Sequence, residues 1–331
     1  MRLLHKSKLM KYFVPLVFIL AICTNCSKDS HKNTLFLAHS LPVTHPVHKG
    51  ILDFQKKVAE KSGGAMLVKI FPDGQLGTER EVLELLQIGS VAMTKVSAAV
   101  MANFAPEYEV LGVPYLFRDK GHLFQVLEGE VGRQLLLSSS DYWLRGLCFY
   151  DAGSRSFYTK DKPIRRPEDL RGLKIRVMNH QMSVDMVNAM GGSATPMAFG
   201  ELYTALQQGV VDGAENNPPS LVSSNHYEVC KYYTLDEHSA IPDVLVIGTK
   251  FWDKLSDKEQ QWLAEAAAES VIAQKRYWEE SVKECMEILN AADVEVIRPE
   301  KSLFANASRP VLEAFIQKPG MKVLVEAIQQ Q

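Results

Sequence analysis

The sequence predicts an α/β protein of two lobes built on mostly parallel sheets, with one long helix packed behind both lobes. The chain has 331 residues, which is more than one ordinary domain needs and enough for two. Its first half alternates apolar segments of strand length with segments of helical period, the pattern of strands joined by crossover helices. From Ser256 to about Asn290, a helical pattern runs without glycine or proline. A helix of about 35 residues spans roughly 50 Å, which exceeds one small domain.

The first half contains three predicted strands, each followed by a polar loop or a helix. Thr34–Ser40 is the first strand, and Pro46 begins a helix whose apolar residues recur at helical spacing. Met66–Phe71 is the second strand, and Thr78 begins the next helix with a capping box. Val91–Ser97 is the third strand. Ligands of such sheets bind beyond the carboxyl ends of the strands. Four polar residues lie at these ends or at the helix starts that follow them: His39, Ser40, Glu79 and Ser97.

Two long extended segments in the second half predict crossings between the lobes. Cys148–Lys160 is interrupted by Gly153, and a long strand that bends at a glycine can pass from one sheet to another. Tyr232–Lys250 is the second such segment. These positions divide the chain. We assign to the first lobe residues 34–152 and 242–281, and to the second lobe residues 153–241 and 282–331.

Arg176 is the residue on which the functional prediction depends. Leu173–Val177 alternates apolar and basic residues, as a half-buried strand does, and places Arg176 near its end. A guanidinium is a planar fork that matches a carboxylate in two-point geometry. Arg176 could therefore capture the carboxylate of a small solute, or it could be an exposed arginine on the solvent face of an edge strand. Arg155, which directly follows the bend at Gly153, is a second candidate.

A polar segment at Val210–Ser220 is the second informative stretch. It contains Asn216 and Asn217 before a pair of prolines. Asparagine offers both donors and an acceptor, which suits a ligand's carboxylate and hydroxyls, but Asn and Pro also cluster in turns for backbone reasons. Phe199 ends a predicted strand beside this region and is either part of the site or an ordinary core residue.

Three histidines lie close together in the sequence, at His39, His45 and His48. A metal site is the least favoured interpretation, since no carboxylate completes a ligand set at suitable spacing. A polar contact from His45 to a ligand is favoured over metal binding, and a capped or solvated histidine remains open. We therefore expect no metal and no cofactor.

The N-terminus indicates export. Residues 1–26 combine basic residues with the apolar run Tyr12–Ile22, which is too short to span a bilayer. A cysteine directly after such a run is typical of lipoproteins, so we predict acylation at Cys26, with Cys23 as the alternative. Plain cleavage and retention as a signal anchor also remain open.

The remaining composition excludes several classes of protein. The formal net charge is −2 and no basic block lies downstream of the N-terminus, so nucleic acid is not an expected partner. Nucleotide-binding glycine motifs and hydrolase motifs are absent from the sequence, and no base stands beside a nucleophile. These features favour recognition over catalysis. Three cysteines in the body of the chain are predicted to be small core residues, with one disulfide left open: Cys148, Cys230 and Cys285.

The order and spacing of several motifs resemble the solute-binding component of tripartite ATP-independent periplasmic (TRAP) transporters, of the DctP type. The resemblance covers the chain from about Leu35 to the end. Its markers are HPVHKG at 45–50, FPDGQLGTERE at 71–81, VPYLFRD at 113–119, GSRSFYTKDKPIRRPEDLRGLKIRV at 153–177 and FGELYTALQQGVVDGAENN at 199–217.

This resemblance implies two α/β lobes joined by crossing strands and backed by a long helix, as in periplasmic binding proteins. It implies that Arg176 pairs with a substrate carboxylate, with Arg155 as the second arginine and Asn216 as its amide partner. Phe199 would pack against the ligand, and Glu79 would contact it from the first lobe. The resemblance also implies a membrane permease as partner and a periplasmic location. We expect a monomer.

One departure from the family pattern bears on the ligand. Many relatives have glutamine before the glutamate of this motif and a single asparagine before proline, whereas this chain has Ala214 and then Asn216 and Asn217. The extra amide favours a polyhydroxylated ligand, so we predict a hexuronate such as glucuronate or galacturonate. A C4-dicarboxylate or sialic acid, an input to a sensor kinase, and an exported uronate hydrolase or lyase are the alternatives.

Overall fold

The computed structural model describes residues 33–331, which form two α/β lobes, each built on one mixed sheet. The predicted signal segment, with Cys23 and Cys26, lies outside the described residues.

The strands are short and keep close to the predicted positions. They are β1 (Asn33–Ala38), β2 (Met66–Phe71), β3 (Met93–Ser97), β4 (Leu144–Tyr150), β5 (Arg155–Thr159), β6 (Lys174–Val177), β7 (Ser193–Pro196), β8 (Gly213–Asn216), β9 (Tyr232–Ser239), β10 (Asp243–Gly248) and β11 (Glu295–Ile297).

The helices cover the faces of both sheets. They are α1 (Pro46–Lys61), α2 (Glu79–Ile88), α3 (Ala98–Met101), α4 (Lys120–Glu128), α5 (Glu130–Ser138), α6 (Gln181–Ala189), α7 (Leu202–Gln207), α8 (Pro218–Ser223), α9 (His226–Val229), α10 (Thr249–Trp252), α11 (Asp257–Ala291), α12 (Lys301–Phe315) and α13 (Met321–Gln329). Short 3₁₀ turns occupy Pro106–Gly112, Ser139–Tyr142, Pro167–Leu170 and Phe199–Glu201.

Both sheets are mixed rather than mostly parallel. The first has the order β2-β1-β3-β10-β4, and the second has the order β11-β9-β5-β8-β6-β7. The pairs β1–β2 and β1–β3 are parallel, as the strand–helix alternation predicts. Strand β10 is antiparallel to both of its neighbours, and so is β5. These two strands arrive from the opposite lobe, which explains why they run against the local direction.

The two predicted crossings are confirmed. The first extended segment is divided into β4 in one sheet and β5 in the other, and the second is divided in the same way into β9 and β10. At the first crossing, Gly153 has a φ of +59° and packs against the ring of Trp278. A side chain there would be strained because L-residues rarely adopt this conformation.

Helix α11 packs behind both lobes, as predicted. It is 35 residues long and begins at a capping box between Ser256 and Glu259. It packs against α1 and β4 of the first lobe and against α8 and β11 of the second. Gln274 fixes it to the first crossing, because its side chain accepts from the backbone N–H of Asp151 and donates to the carbonyl of the same residue, both at 2.8 Å.

The C-terminal helices contact both lobes. Phe304 of α12 packs in the core of the second lobe, beside Phe157. Phe315 near the end of α12 and Ile328 of α13 pack in the core of the first lobe. The lobe boundaries that we assigned stay a prediction, and the segment assigned to the second lobe thus also supplies side chains to the first.

The three cysteines of the described chain are buried free thiols, so the prediction of small core residues is confirmed and the disulfide is not formed. Within residues 33–331, no helix combines the length and apolarity needed to cross a bilayer.

Candidate functional site

A cavity of about 310 Å³ lies between the lobes. This volume is at the lower end of the range of small-molecule sites, roughly 300–1,000 Å³. All eight candidate residues line it: His45, Glu79, Ser97, Arg155, Arg176, Phe199, Asn216 and Asn217. The structure therefore brings these eight side chains together from both lobes, whereas His39 and His48, which the sequence also singled out, are not among the residues that line the cavity.

Arg176 is buried in the wall of this cavity and is only 2% exposed. The alternative of an arginine on the solvent face of an edge strand is wrong, because Arg176 is buried and because β7, which pairs with β6, is the edge strand of the sheet. Nε and Nη2 of Arg176 donate to the carbonyl of Met197, at 3.0 and 2.6 Å. Nη1 is buried and has no hydrogen-bond partner among residues 33–331. A buried, unpaired donor is costly unless something else accepts its hydrogen bond.

An aromatic ring lies beside the guanidinium, and further rings pack behind it. The guanidinium carbon of Arg176 lies 5.9 Å from the centre of the Phe199 ring. Phe199 in turn packs edge-on against His226, whose Nδ1 lies 3.0 Å from the hydroxyl of Tyr158. Burial, and then the positive charge of Arg176, lower the pKa of His226 to about 3. Burial also lowers the pKa of Arg176. Phe199 begins a 3₁₀ turn rather than ending a strand, since β7 stops at Pro196.

Arg155 differs from Arg176 because it already has a carboxylate partner. Its guanidinium forms a two-point ion pair with Glu215, with both side chains less than 10% exposed. Its Nη1 also donates to Oδ1 of Asn216, at 2.9 Å. Arg155 therefore fixes the position of Asn216 in the cavity wall, while its positive charge is neutralised within the protein.

The Glu215 carboxylate belongs to a larger buried network. His238 contacts Asp236 through Nδ1 at 2.8 Å and Glu215 through Nε2 at 3.4 Å. Burial raises the pKa of Glu215, but Arg155 and His238 outweigh it and lower the pKa to about 2. Burial lowers the pKa of His238, but Asp236 and Glu215 outweigh it and raise the pKa to about 9. The network thus holds two cations against two anions.

Asn217 has a structural role. Its Oδ1 accepts from the backbone N–H of Ser220 at 2.8 Å, which caps α8, and its Nδ2 donates to the carbonyl of Ala152 at 3.0 Å. The turn-forming interpretation of the Asn-Pro segment therefore holds for this residue, which joins α8 to the first crossing.

The first-lobe wall of the cavity carries a second ionic group. The ammonium of Lys95 lies 3.1 Å from Glu79 and 3.2 Å from Asp243. Glu79 also accepts from the backbone N–H of Ser97 at 3.3 Å and from the hydroxyl of Ser40 at 3.4 Å. Burial lowers the pKa of Lys95, but the two carboxylates outweigh it and raise the pKa. Burial raises the pKa of Asp243, and Lys95 opposes that shift.

The three histidines have separate roles. His45 caps α1, and its Nε2 lies 3.2 Å from the hydroxyl of Ser220 across the cleft. Nδ1 of His39 accepts from the backbone N–H of Leu41, and its Nε2 lies 3.0 Å from Nδ1 of His48. Within the described residues, no group of three potential metal ligands is placed to hold an ion.

Three features of the site were not predicted from the sequence: Lys95, Asp243 and the network of Glu215 with His238. A signal was available for Lys95, which is the one charged residue in the otherwise uncharged segment Val91–Ser97. A charge in a strand of this kind requires a buried partner. Its partner Asp243 is 148 residues away in the chain, so spacing alone could not identify it.

Comparisons with known proteins identify the class of this protein. The family model for bacterial extracellular solute-binding protein, family 7 (DctP), matches residues 37–318. The solute-binding protein of Chromohalobacter salexigens is 36% identical over 290 residues, covering 87% of this chain and 86% of that protein.

Two solved structures of TRAP periplasmic solute-binding proteins are also similar to this chain. The one from Bradyrhizobium sp. BTAi1, in complex with α/β-D-galacturonate, is 38% identical with a TM-score of 0.88, covering 90% of this chain and 100% of that chain. The one from Pseudomonas putida F1, with bound D-glucuronate, is 38% identical with a TM-score of 0.86, covering 90% of this chain and 98% of that chain.

Two α/β lobes around a cavity that carries charged and polar side chains from both lobes define this protein as a periplasmic-type binding protein. The chain belongs to the DctP-type family of solute-binding proteins of TRAP transporters. Members of this family are periplasmic receptors for small organic acids rather than enzymes, and they work with membrane permeases.

Proposed function

We propose that this protein is an extracytoplasmic receptor for a sugar acid, a hexuronate such as glucuronate or galacturonate, which it delivers to a TRAP permease. The observation that carries the proposal is the buried guanidinium of Arg176, whose Nη1 lacks a partner among the described residues. The two similar structures with bound uronates support the choice of ligand.

The carboxylate of the ligand would pair with Arg176 at two points. Nη1 has two unused hydrogens, and Nη2 has one hydrogen left after it donates to Met197. The contact with Met197 fixes the plane of the fork, so little conformational entropy is lost on binding. Pairing within a cavity is stronger than at a surface, although both groups must be desolvated.

The remaining candidate residues would bind the sugar ring. Asn216 offers an amide that Arg155 holds in place, and Glu79 offers a carboxylate that accepts from hydroxyls. Phe199 presents a half-buried ring, which suits the apolar face of a pyranose. Ser97 and His45 are further polar groups of the first lobe.

Delivery would follow from closure of the lobes around the solute. Closure by hinge motion at the crossing strands would bury the ligand, and the permease would recognise the closed form. Acylation of Cys26 would keep the monomeric receptor beside the membrane. Mass spectrometry of the exported protein would show whether Cys26 is acylated.

The function is tested by isothermal titration of the purified protein with D-glucuronate, D-galacturonate, sialic acid and C4-dicarboxylates. We expect saturable binding of a uronate. Arg176→Ala should lose about 3–5 kcal/mol of binding free energy, the cost of leaving a buried charge unpaired. Arg171→Ala, on the exposed surface five residues earlier, is the matched control and should bind normally. Uronate binding that survives Arg176→Ala would contradict the proposal, and exclusive binding of a dicarboxylate would reassign the ligand.

A further inference from the structure

We propose that Glu79, Lys95 and Asp243 make the cavity selective for acids with a single carboxylate and cause it to reject dicarboxylates of the same length. This inference rests on the proposed function and narrows the class of acid that the same site accepts.

Most of the cations that line the cavity already have a carboxylate partner. Arg155 is paired with Glu215, and Arg80 is paired with Glu84 on the exposed surface of α2, at 3.2 Å. Lys95 is shared between two carboxylates. Among the described residues that line the cavity, Arg176 is the cation without a carboxylate partner, so the cavity can neutralise one negative charge of a ligand.

The first-lobe wall of the cavity carries an excess of negative charge. One ammonium, on Lys95, faces two carboxylates, on Glu79 and Asp243. Lys95 is 1% exposed, so solvent screens this group weakly. Two further acidic residues of the first lobe, Asp73 and Glu81, line the same cavity, and Glu201 lines it from the second lobe.

Arg176 and the acidic group of the first lobe lie on different walls of the cavity. Lys95 and Asp243 lie on neighbouring strands of the first sheet, β3 and β10, and Glu79 is the first residue of α2. Arg176 lies on β6 of the second sheet. A ligand whose carboxylate meets Arg176 therefore extends from the second-lobe wall towards the acidic first-lobe wall.

The chemistry at that wall then discriminates between ligands. A carboxylate only accepts hydrogen bonds, so Glu79 can bind a hydroxyl of the ligand but repels a second carboxylate. Among the described residues of this wall, Lys95 is already bonded to two anions and Arg80 is paired with Glu84, so neither compensates a second carboxylate of the ligand. Rejection of the wrong ligand by unfavourable charge is a common source of specificity.

The experiment compares D-galacturonate with galactarate, the six-carbon diacid, by isothermal titration of the full-length protein. D-galactonate, an open-chain acid with one carboxylate, controls for loss of the pyranose ring. We expect galactarate to bind at least tenfold more weakly than galactonate. Glu79→Gln and Asp243→Asn each leave one anion for one cation, so each should reduce that ratio at least fivefold. Glu60→Gln, on the exposed surface of α1 in the same lobe and away from the cavity, should leave the ratio unchanged.

Several results would overturn the inference. One is galactarate bound by the wild type as tightly as galactonate, and another is a ratio that neither substitution changes. If the wild type binds galacturonate but neither open-chain acid, the ring rather than charge sets the selectivity, and the inference is also wrong. Failure of the proposed function is a different result, because the wild type would then bind no uronate. A substitution that acts only by loosening the fold would weaken binding of all three acids equally.

Discussion

At the scale of single residues, the two arginines of the cavity show how burial and pairing define a role. Both are almost fully buried, yet Arg155 is neutralised by Glu215, whereas Arg176 bonds a carbonyl oxygen and no carboxylate within residues 33–331. A buried charge without a counter-ion is expensive to keep. We infer that the protein tolerates this cost because the ligand supplies the anion.

Arg176→Lys would keep the positive charge and lose the planar fork. We expect the affinity for a uronate to fall at least tenfold, because an ammonium cannot bind Met197 and both carboxylate oxygens in the same fixed geometry. Isothermal titration would measure the loss, with Arg171→Lys as the matched control on the exposed surface. Equal affinity for both variants would show that charge alone is recognised.

The His238 network predicts a dependence of stability on pH. The pKa of His238 is raised to about 9 in the folded protein, above its ordinary value of 6.5. Its contribution to the free energy of unfolding is therefore fully present below pH 6.5 and is lost as the pH rises through 9. The loss is roughly 3 kcal/mol, since one pKa unit corresponds to about 1.4 kcal/mol.

Urea denaturation at several pH values between 6.5 and 9 would test this dependence. His238→Gln should flatten the decline of the free energy of unfolding with pH. Asp236→Asn should also flatten it, because it removes the nearer of the two carboxylates that raise the pKa of His238. A decline that persists unchanged in both variants would assign it to other groups.

At the scale of secondary-structure elements, the contact between α1 and α11 is close because α1 contains Gly50. A Cβ atom at Gly50 would lie 2.7 Å from Cβ of Gln274. Gln274 cannot move away freely, because both ends of its amide are bonded to the backbone of Asp151. Gly50 thus lets α11 approach the first lobe closely enough for Gln274 to bond the backbone of the first crossing.

Gly50→Ala should therefore destabilise the protein, although alanine is a better helix former than glycine. We expect a loss of about 1–3 kcal/mol in the free energy of unfolding, the usual cost of overpacking, partly offset by about 1 kcal/mol of helix propensity. Chemical denaturation would measure it. At Gly200, where a Cβ would meet no atom within 4 Å, alanine should be tolerated. A more stable Gly50→Ala protein would contradict the close contact.

Element positions were largely predictable, because the information is local. Thr78 with Glu81 and Ser256 with Glu259 form the capping boxes that the sequence indicates. The burial of Arg176 was not predictable, because it depends on β7 pairing beyond β6. The Lys95–Asp243 pair likewise arises only when β10 is inserted beside β3. Side-chain periodicity describes one strand and its two faces, whereas strand order is a property of the sheet.

At the scale of the whole molecule, the path of the chain makes the lobes interdependent. Strand β10 lies in the interior of the first sheet, between β3 and β4, although it follows most of the second sheet in sequence. Neither lobe is a continuous segment, so neither should fold when the chain is cut once.

A fragment of residues 33–242 lacks β10 and α11, so its first sheet would be split. We expect it to show no cooperative thermal transition by circular dichroism, since β3 and β4 lose the strand that joins them. Adding a fragment of residues 243–331 should restore a cooperative transition. A sharp transition in the first fragment alone would show that the sheet can close without β10.

The crossing strands also determine when each sheet can be completed. Synthesis proceeds from the N-terminus, so β1 to β4 leave the ribosome long before their central neighbour at Asp243–Gly248. The second sheet is likewise incomplete until its edge strand, Glu295–Ile297, has been synthesised. Such distant pairings form slowly, because the entropy of closing a large loop is lost before the stabilising contacts are made. Most of the chain must therefore be present before either sheet can be completed.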